Sequence, residues 1–368
     1  MGYNTGLSSE IDRALDRLDE LLARGTTGFL TSLGDGESGG FYYSIGAKKH
    51  KECAPDSDST AQVLRLIDSG AFLGSKGALA STLSDGLRER ILSFAASCED
   101  CASAKWIKDS LEGKGETDKS AKSTARPIIG APSVRDHLES REAFRKFLSD
   151  NSATALDLKS QYKEIKSAGL SDVMFEYLDS VQERVMRERT ESGLAPTGLW
   201  QTEISSNAMS ELARIASLYT EGERRVSYAA EIVGTCIGEI LSYGKYESIS
   251  EIYAPWAALS AVLKNIGTED GASLYNTVRR SAPDMISSTA ERLEVHKGRH
   301  GGFFYYPSRR SARLHGAHVA FGIADEDVNS TVTAVHGIRG SVFASLGLTV
   351  PPIWDIDALS NILSKISK

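Results

Sequence analysis

The chain has 368 residues, of which 41% are hydrophobic, 25% charged and 8% aromatic. That is apolar enough to bury a large core and argues against global disorder. With 42 basic against 49 acidic residues and a net charge of -7, there is no domain-wide positive field for nucleic acid or an anionic membrane surface. No stretch reaches the roughly 20 apolar residues of a bilayer span. Four cysteines do not build a disulfide framework. The expectation is a soluble, cytoplasmic protein.

Helical periodicity starts at once. Ile11, Leu15, Leu18 and Leu22 recur at spacings of three and four, predicting an amphipathic helix too charged to be a secretory signal. Gly39-Gly40-Phe41-Tyr42-Tyr43 follows as the main, short strand candidate. After a basic cluster, Lys48-Lys49-His50-Lys51, the run DSDSTA from Asp56 to Ala61 opens a helix with Val63, Leu64 and Ile67 in its stripe. Leu87, Ile91, Leu92 and Ala95 predict another. The most polar stretch, residues 112–124, reads as a solvated loop. Val173, Met174, Tyr177, Leu178, Val181 and Val185 mark a long helix. Leu212, Ile215, Ala216 and Tyr219 mark the next, then Val226, Ala229, Ile232, Val233, Ile237 and Ile240. Further stripes lie near residues 258–266, 274–286, 332–346 and 359–366. About twelve helices result, joined by turns such as Ser69-Gly70, Ala195-Pro196 and Ala282-Pro283. The fold expected is all-α: a single α/α toroid, a barrel of helical hairpins, over residues 1–368.

The chain echoes itself near its two ends. Gly301-Gly302-Phe303-Phe304-Tyr305-Tyr306 precedes Arg309, Arg310 and Arg313, and then Asp327-Val328-Asn329-Ser330-Thr331 opens a helix. Glycine-aromatic turn, basic cluster, D-x-[DN]-S-T and helix come in the same order both times. Two such copies suggest a ring whose first and last units meet. Helix capping accounts for a single copy, since Asp, Ser and Thr are favoured caps and Ser59 with Gln62 matches a capping box. Two carboxylates at one helix start also suit acid chemistry. If one stays ionised in an apolar cavity, the other is pushed towards its neutral form and becomes a general acid. Aromatic faces such as Tyr42, Tyr43, Trp200, Tyr253, Trp256 and Tyr305 would stabilise a carbocation. Arg309 and Arg310, with Lys48 and Lys49, would hold a diphosphate or other anion.

DSDSTA at Asp56–Ala61 resembles the D-x-D-D-T-A motif of class II terpene cyclases, with Ser59 at its fourth position. The glycine-aromatic turns followed by D-x-x-S/T-T helices resemble repeats of the squalene cyclase and protein prenyltransferase superfamily. The resemblance implies an α/α toroid and acid-initiated cyclisation of an isoprenoid or prenyl diphosphate. It makes Asp58 the proton donor and Asp56 its partner. Tyr42, Tyr43, Trp200, Trp256, Tyr305, Arg309, Arg310 and Asp327 would bind the substrate. No cofactor is required, and magnesium enters only if the substrate is a diphosphate. Oligomeric state stays open.

Other patterns carry alternatives. His50-x-x-Cys53 and Cys98-x-x-Cys101 have ligand-like spacings, yet no metal site is expected. Trp200 beside Glu203, Asn207 and Glu211 would suit a sugar subsite, giving a glycosidase, epimerase or lyase on the same toroid. The plain counterpart is a helix capped by Ser206 or Asn207. A non-catalytic toroid that binds a ligand or a protein is the third reading. His336, in the stripe TAVHGI, reads as a histidine at the edge of the core. No phosphate loop or dinucleotide fingerprint supports ATP or NAD.

Overall fold

The first apolar stripe becomes the helix Ser9–Ala23, whose Ser8 side chain accepts a hydrogen bond from the Ile11 N–H and so satisfies an otherwise orphaned donor. Side chains of Ser44, Asp56, Cys101, Ser205, Asp327 and Asp355 cap other helices in the same way. The computed structural model describes residues 3, 5–98, 101–112, 133–150, 154–242, 247–308, 313, 314, 317, 318 and 325–367. Over these residues the fold is all-helical, apart from a two-residue antiparallel pair, Arg313–Leu314 with Ala317–His318, and isolated bridges. Residues 113–124 of the expected polar loop lie outside the described residues, as do Arg309 and Arg310.

The helices pack in a definite order. Ser57–Leu66 lies against Ala102–Leu111 and against Val328–Val332. Thr154–Ser167 packs on Ser206–Glu221, which runs along Ile249–Ile266. That helix in turn packs on the π-helical Thr333–Ile338 and on Arg339–Ser345. A second set lies against these: Asp85–Ser97 on Ala102–Leu111, and Ala229–Leu241 on Ile249–Ile266 and Ala272–His296. Ser9–Ala23 also packs on Ala272–His296, so the two ends of the chain touch. The buried core is continuous, with Leu15, Phe29, Phe41, Trp256 and Phe303 fully enclosed. Among the described residues no helix is long and apolar enough to cross a membrane.

The structure corrects three local expectations. Ala282-Pro283 is not a turn, because Pro283 lies inside the continuous helix Ala272–His296. Proline removes one N–H donor there, but Val278, Ala282, Met285 and Ile286 are all buried and hold the helix through it. Val226 stands outside its expected helix, which begins at Ala229 after Tyr228 in a left-handed conformation (φ 55°). The glycine-aromatic segment at Phe41 forms single bridges, to Gly34 and Asp56, and no extended strand.

Candidate functional site

The two echoing segments fold into closely similar turns, the first one residue longer than the second. Gly39 and Gly301 sit at φ 80° and 95°, which glycine adopts without steric cost. The Asp35 N–H donates to Gly40 O at 2.9 Å, and the Gly298 N–H to Gly302 O at 3.0 Å. Phe41 and Phe303 anchor the turns in the core. Asp56 caps its helix by accepting from the Ser59 N–H at 2.7 Å and the Ser59 hydroxyl at 2.6 Å. Asp327 accepts from the Ser330 N–H and hydroxyl, both at 2.7 Å. Thr60 accepts from the Phe41 N–H at 2.9 Å and donates to Asp56 O, and Thr331 does the same for Phe303 and Asp327. The cap is therefore Asp56, with Ser59 at the third helical position, and not the Ser59–Gln62 box expected.

Each turn also closes the start of another helix. The Val328 N–H donates to Tyr43 O at 3.0 Å, and the Ile249 N–H donates to Tyr305 O at 3.1 Å. Tyr43 and Tyr305 both stand two residues after the anchoring phenylalanine. The two copies are thus related head to tail, each feeding a neighbour.

The predicted site residues separate into three groups. Asp56, Asp58, Tyr43, Tyr305 and Asp327 come together. Asp58 is half-buried and accepts a hydrogen bond from the Ser103 hydroxyl on the neighbouring helix. Burial raises the pKa of Asp56, with the charge of Asp58 adding to it. Burial also raises Asp327, to about 7. Tyr43 is buried with no partner for its hydroxyl among the described residues, and burial together with Asp327, Asp56, Tyr305 and Asp58 raises its pKa. The Tyr305 hydroxyl shares a hydrogen bond with Ser250 at 2.8 Å. Tyr42 lies apart, half-buried, with the Lys48 ammonium 5.8 Å from its ring. Trp200 and Trp256 belong to the core: their indole N–H groups donate to Leu178 O and the Thr289 hydroxyl. Arg309 and Arg310 are outside the described residues.

The alternatives from the sequence also find places. Glu211 is buried beside Gln201, and burial raises its pKa to about 7, whereas Glu203 is exposed. Cys101 caps the Ala102–Leu111 helix, its sulfur 3.2 Å from the Ser57 hydroxyl. Among the described residues no three His, Cys, Asp or Glu side chains gather as a metal site needs.

A half-buried polar stripe missed by the sequence reading lies beyond the turns. On Ser57–Leu66 the half-buried residues Asp58, Gln62 and Arg65 recur at spacings of four and three, opposite the buried Val63, Leu64 and Leu66. The Arg65 guanidinium lies 4.6 Å from the centre of the Trp106 ring. One turn on, Ser69 and Gly70 line a cavity of about 210 Å³ with His336 and Lys76. His336 is exposed, not packed at the core edge, yet desolvation lowers its pKa. An exposed ring that is still desolvated sits in a hollow of the surface. A Cβ on Gly337 would lie 3.1 Å from the Tyr253 ring, placing that tyrosine against the same helix. The charge of Arg214 acts on both Tyr253 and Glu211. The polar stripe Asp58, Gln62, Arg65 was the available sequence signal.

No family model, curated protein or solved structure matches this chain.

The chemistry therefore rests on the geometry alone. Five helices that pack in series, from Ala102–Leu111 through Ser57–Leu66, Val328–Val332 with its continuation Thr333–Ile338, and Ile249–Ile266 to Ser206–Glu221, start with a cap two residues before Ser103, Asp58, Asn329, Ser250 and Asn207. Only Asp58 is a carboxylate. The capping aspartates use both oxygens within their own turns, so Asp58 is the acid that the repeated scaffold does not itself consume.

Proposed function

We propose that the chain is an α/α toroid that starts the cyclisation of an isoprenoid or prenyl diphosphate by protonation, with Asp58 as the donor and Asp56 as its partner. The toroid reading is supported by the order of packing, in which Ser57–Leu66 touches both the next helix of its kind and the last. The observation that carries the chemistry is the position of Asp58, the one carboxylate among five equivalent helix starts, oriented by Ser103. Protonation of an alkene by Asp58 leaves a carbocation that an aromatic face such as that of Tyr253 would stabilise. The negative charge left on Asp58 is held by the Ser103 hydroxyl. Arg65, whose own pKa Asp58 acts to raise, adds to that stabilisation.

Incubation with prenyl diphosphates of several lengths, followed by product analysis, tests the reading. Wild-type protein is expected to give cyclic products, and Asp58→Asn to lower turnover by about 10²-fold or more. Unchanged substrate with the wild type would sink it.

A second reading, a carbohydrate-active enzyme, is favoured by one observation: the half-buried stripe and its surroundings are rich in polar groups. Gln62, Arg65, Arg214 and His336, whose pKa desolvation lowers, are unlike an all-aromatic lining. Reducing-end and double-bond assays on neutral and uronic oligosaccharides separate it from the first.

A further inference from the structure

We infer that Gln62, Arg65 and Trp106 form a binding site for the carboxylate or phosphate of a small hydroxylated ligand, whether or not the protein cyclises anything. The centre of the site is an unmatched guanidinium. Arg65 stacks on Trp106 and, among the described residues, makes no hydrogen bond or ion pair. By contrast, the buried Arg339 is satisfied by Asp19, and the half-buried Arg279 and Arg90 by Leu346 O and Gly36 O. Removing a charge from water without a partner is costly. Desolvation acts against the charge of Arg65, and the charge of Asp58 only partly offsets it.

The ring contact uses none of the guanidinium N–H groups and leaves them to a planar or tetrahedral oxyanion, which they bind two bonds at a time. Asp58 does not fill that role: it acts on Arg65 through its charge and, among the described residues, makes no hydrogen bond or ion pair to it. A second group on the same helix is equally unmatched. Gln62, three residues before Arg65, has its side-chain oxygen buried with no partner. That oxygen accepts only, so it calls for a donor on the ligand, such as a hydroxyl next to the anionic group. A cation on an aromatic plane with a neighbouring acceptor fits sugar acids and sugar phosphates. A cavity of about 210 Å³ begins at Ser69, one helical turn beyond Arg65.

Trp106 provides the readout, being half-buried while Trp200, Trp256 and Trp354 are buried. Tryptophan fluorescence is followed while glucuronate, glucose 6-phosphate or glucose is added to the full chain, with calorimetry in parallel. Saturable binding of at least one anion, and none of neutral glucose, is expected. Which anion binds more tightly identifies the group. Trp106→Phe should remove the optical signal. Arg65→Met should weaken binding at least about tenfold, as loss of charge-assisted hydrogen bonds does, and Arg65→Lys less so. If Arg65→Met does not fold, Gln62→Leu reads the same site and should weaken binding several-fold. No saturable binding of either anion, or wild-type affinity in the folded variants, overturns the inference. Binding is read without turnover, so this result is independent of whether prenyl diphosphates are cyclised.

Discussion

Asp327 has no exposed surface, and both its oxygens face Ser330. Its pKa is raised to about 7 by burial, against hydrogen bonds that pull the other way. An unfolded aspartate titrates near 3.9. Between that value and 7 the folded chain holds a proton that the unfolded chain has released. Stability therefore falls as pH rises through this window, by up to about 1.4 kcal/mol per pH unit, and levels off above it. Asparagine mimics the protonated acid: its oxygen accepts from the Ser330 N–H and its amide donates to the Ser330 hydroxyl. Asp327→Asn should melt near the wild-type temperature at or just below pH 4, and increasingly above it from pH 5 to pH 8. Thermal melts of both proteins across that range check this. Asp56 shifts in the same direction but is present in both proteins, so the difference isolates Asp327. Parallel curves would remove burial as the cause.

At the scale of elements, the two turns share hydrogen bonds but not surroundings. A Cβ on Gly301 would lie 2.2 Å from the backbone oxygen of Gly25, which opens the Thr26–Leu33 helix. A Cβ on Gly39 would meet only the Arg90 side chain, at 2.9 Å. Both positions carry positive φ, so either alanine costs about 1–2 kcal/mol of backbone strain. Gly301→Ala must also push two backbones apart. Its urea midpoint should therefore fall clearly below that of Gly39→Ala, and equal losses would contradict the close approach. The duplicated turn was legible in the sequence because its residues recur in order. Its cap was misplaced because Asp56 and Ser59 both fit a capping pattern, and backbone conformation decides between them. Helices were legible from their stripes. Pro283 misled because core packing outweighs one missing donor. Trp200 and Trp256 looked like cavity aromatics because a sequence does not say which helix face meets the core. The pairing of Arg65 with Trp106 was invisible, since it exists only once two helices distant in sequence pack together.

For the whole molecule, closure of the two chain ends rests on a buried ion pair as well as on apolar contact. Arg339 is 1% exposed. It donates to both oxygens of Asp19 at 2.7 and 2.8 Å, to Pro351 O at 2.9 Å and to the Tyr3 hydroxyl at 3.1 Å. The first helix is thereby fastened to the last third of the chain, as a single domain over residues 1–368 requires. A buried pair of this kind need not stabilise more than an apolar replacement would, but breaking it leaves one charge stranded. Arg339→Met should therefore cost about 3–5 kcal/mol. Adding Asp19→Asn should restore much of that loss, since the stranded carboxylate is gone. Denaturation followed by both helical circular dichroism and tryptophan fluorescence tests closure directly. In one closed domain the two signals move together, and both midpoints fall in Arg339→Met. If only one signal shifts, the ends of the chain belong to a unit that unfolds apart from the rest. If neither shifts, the Arg339–Asp19 pair does not hold the ends together.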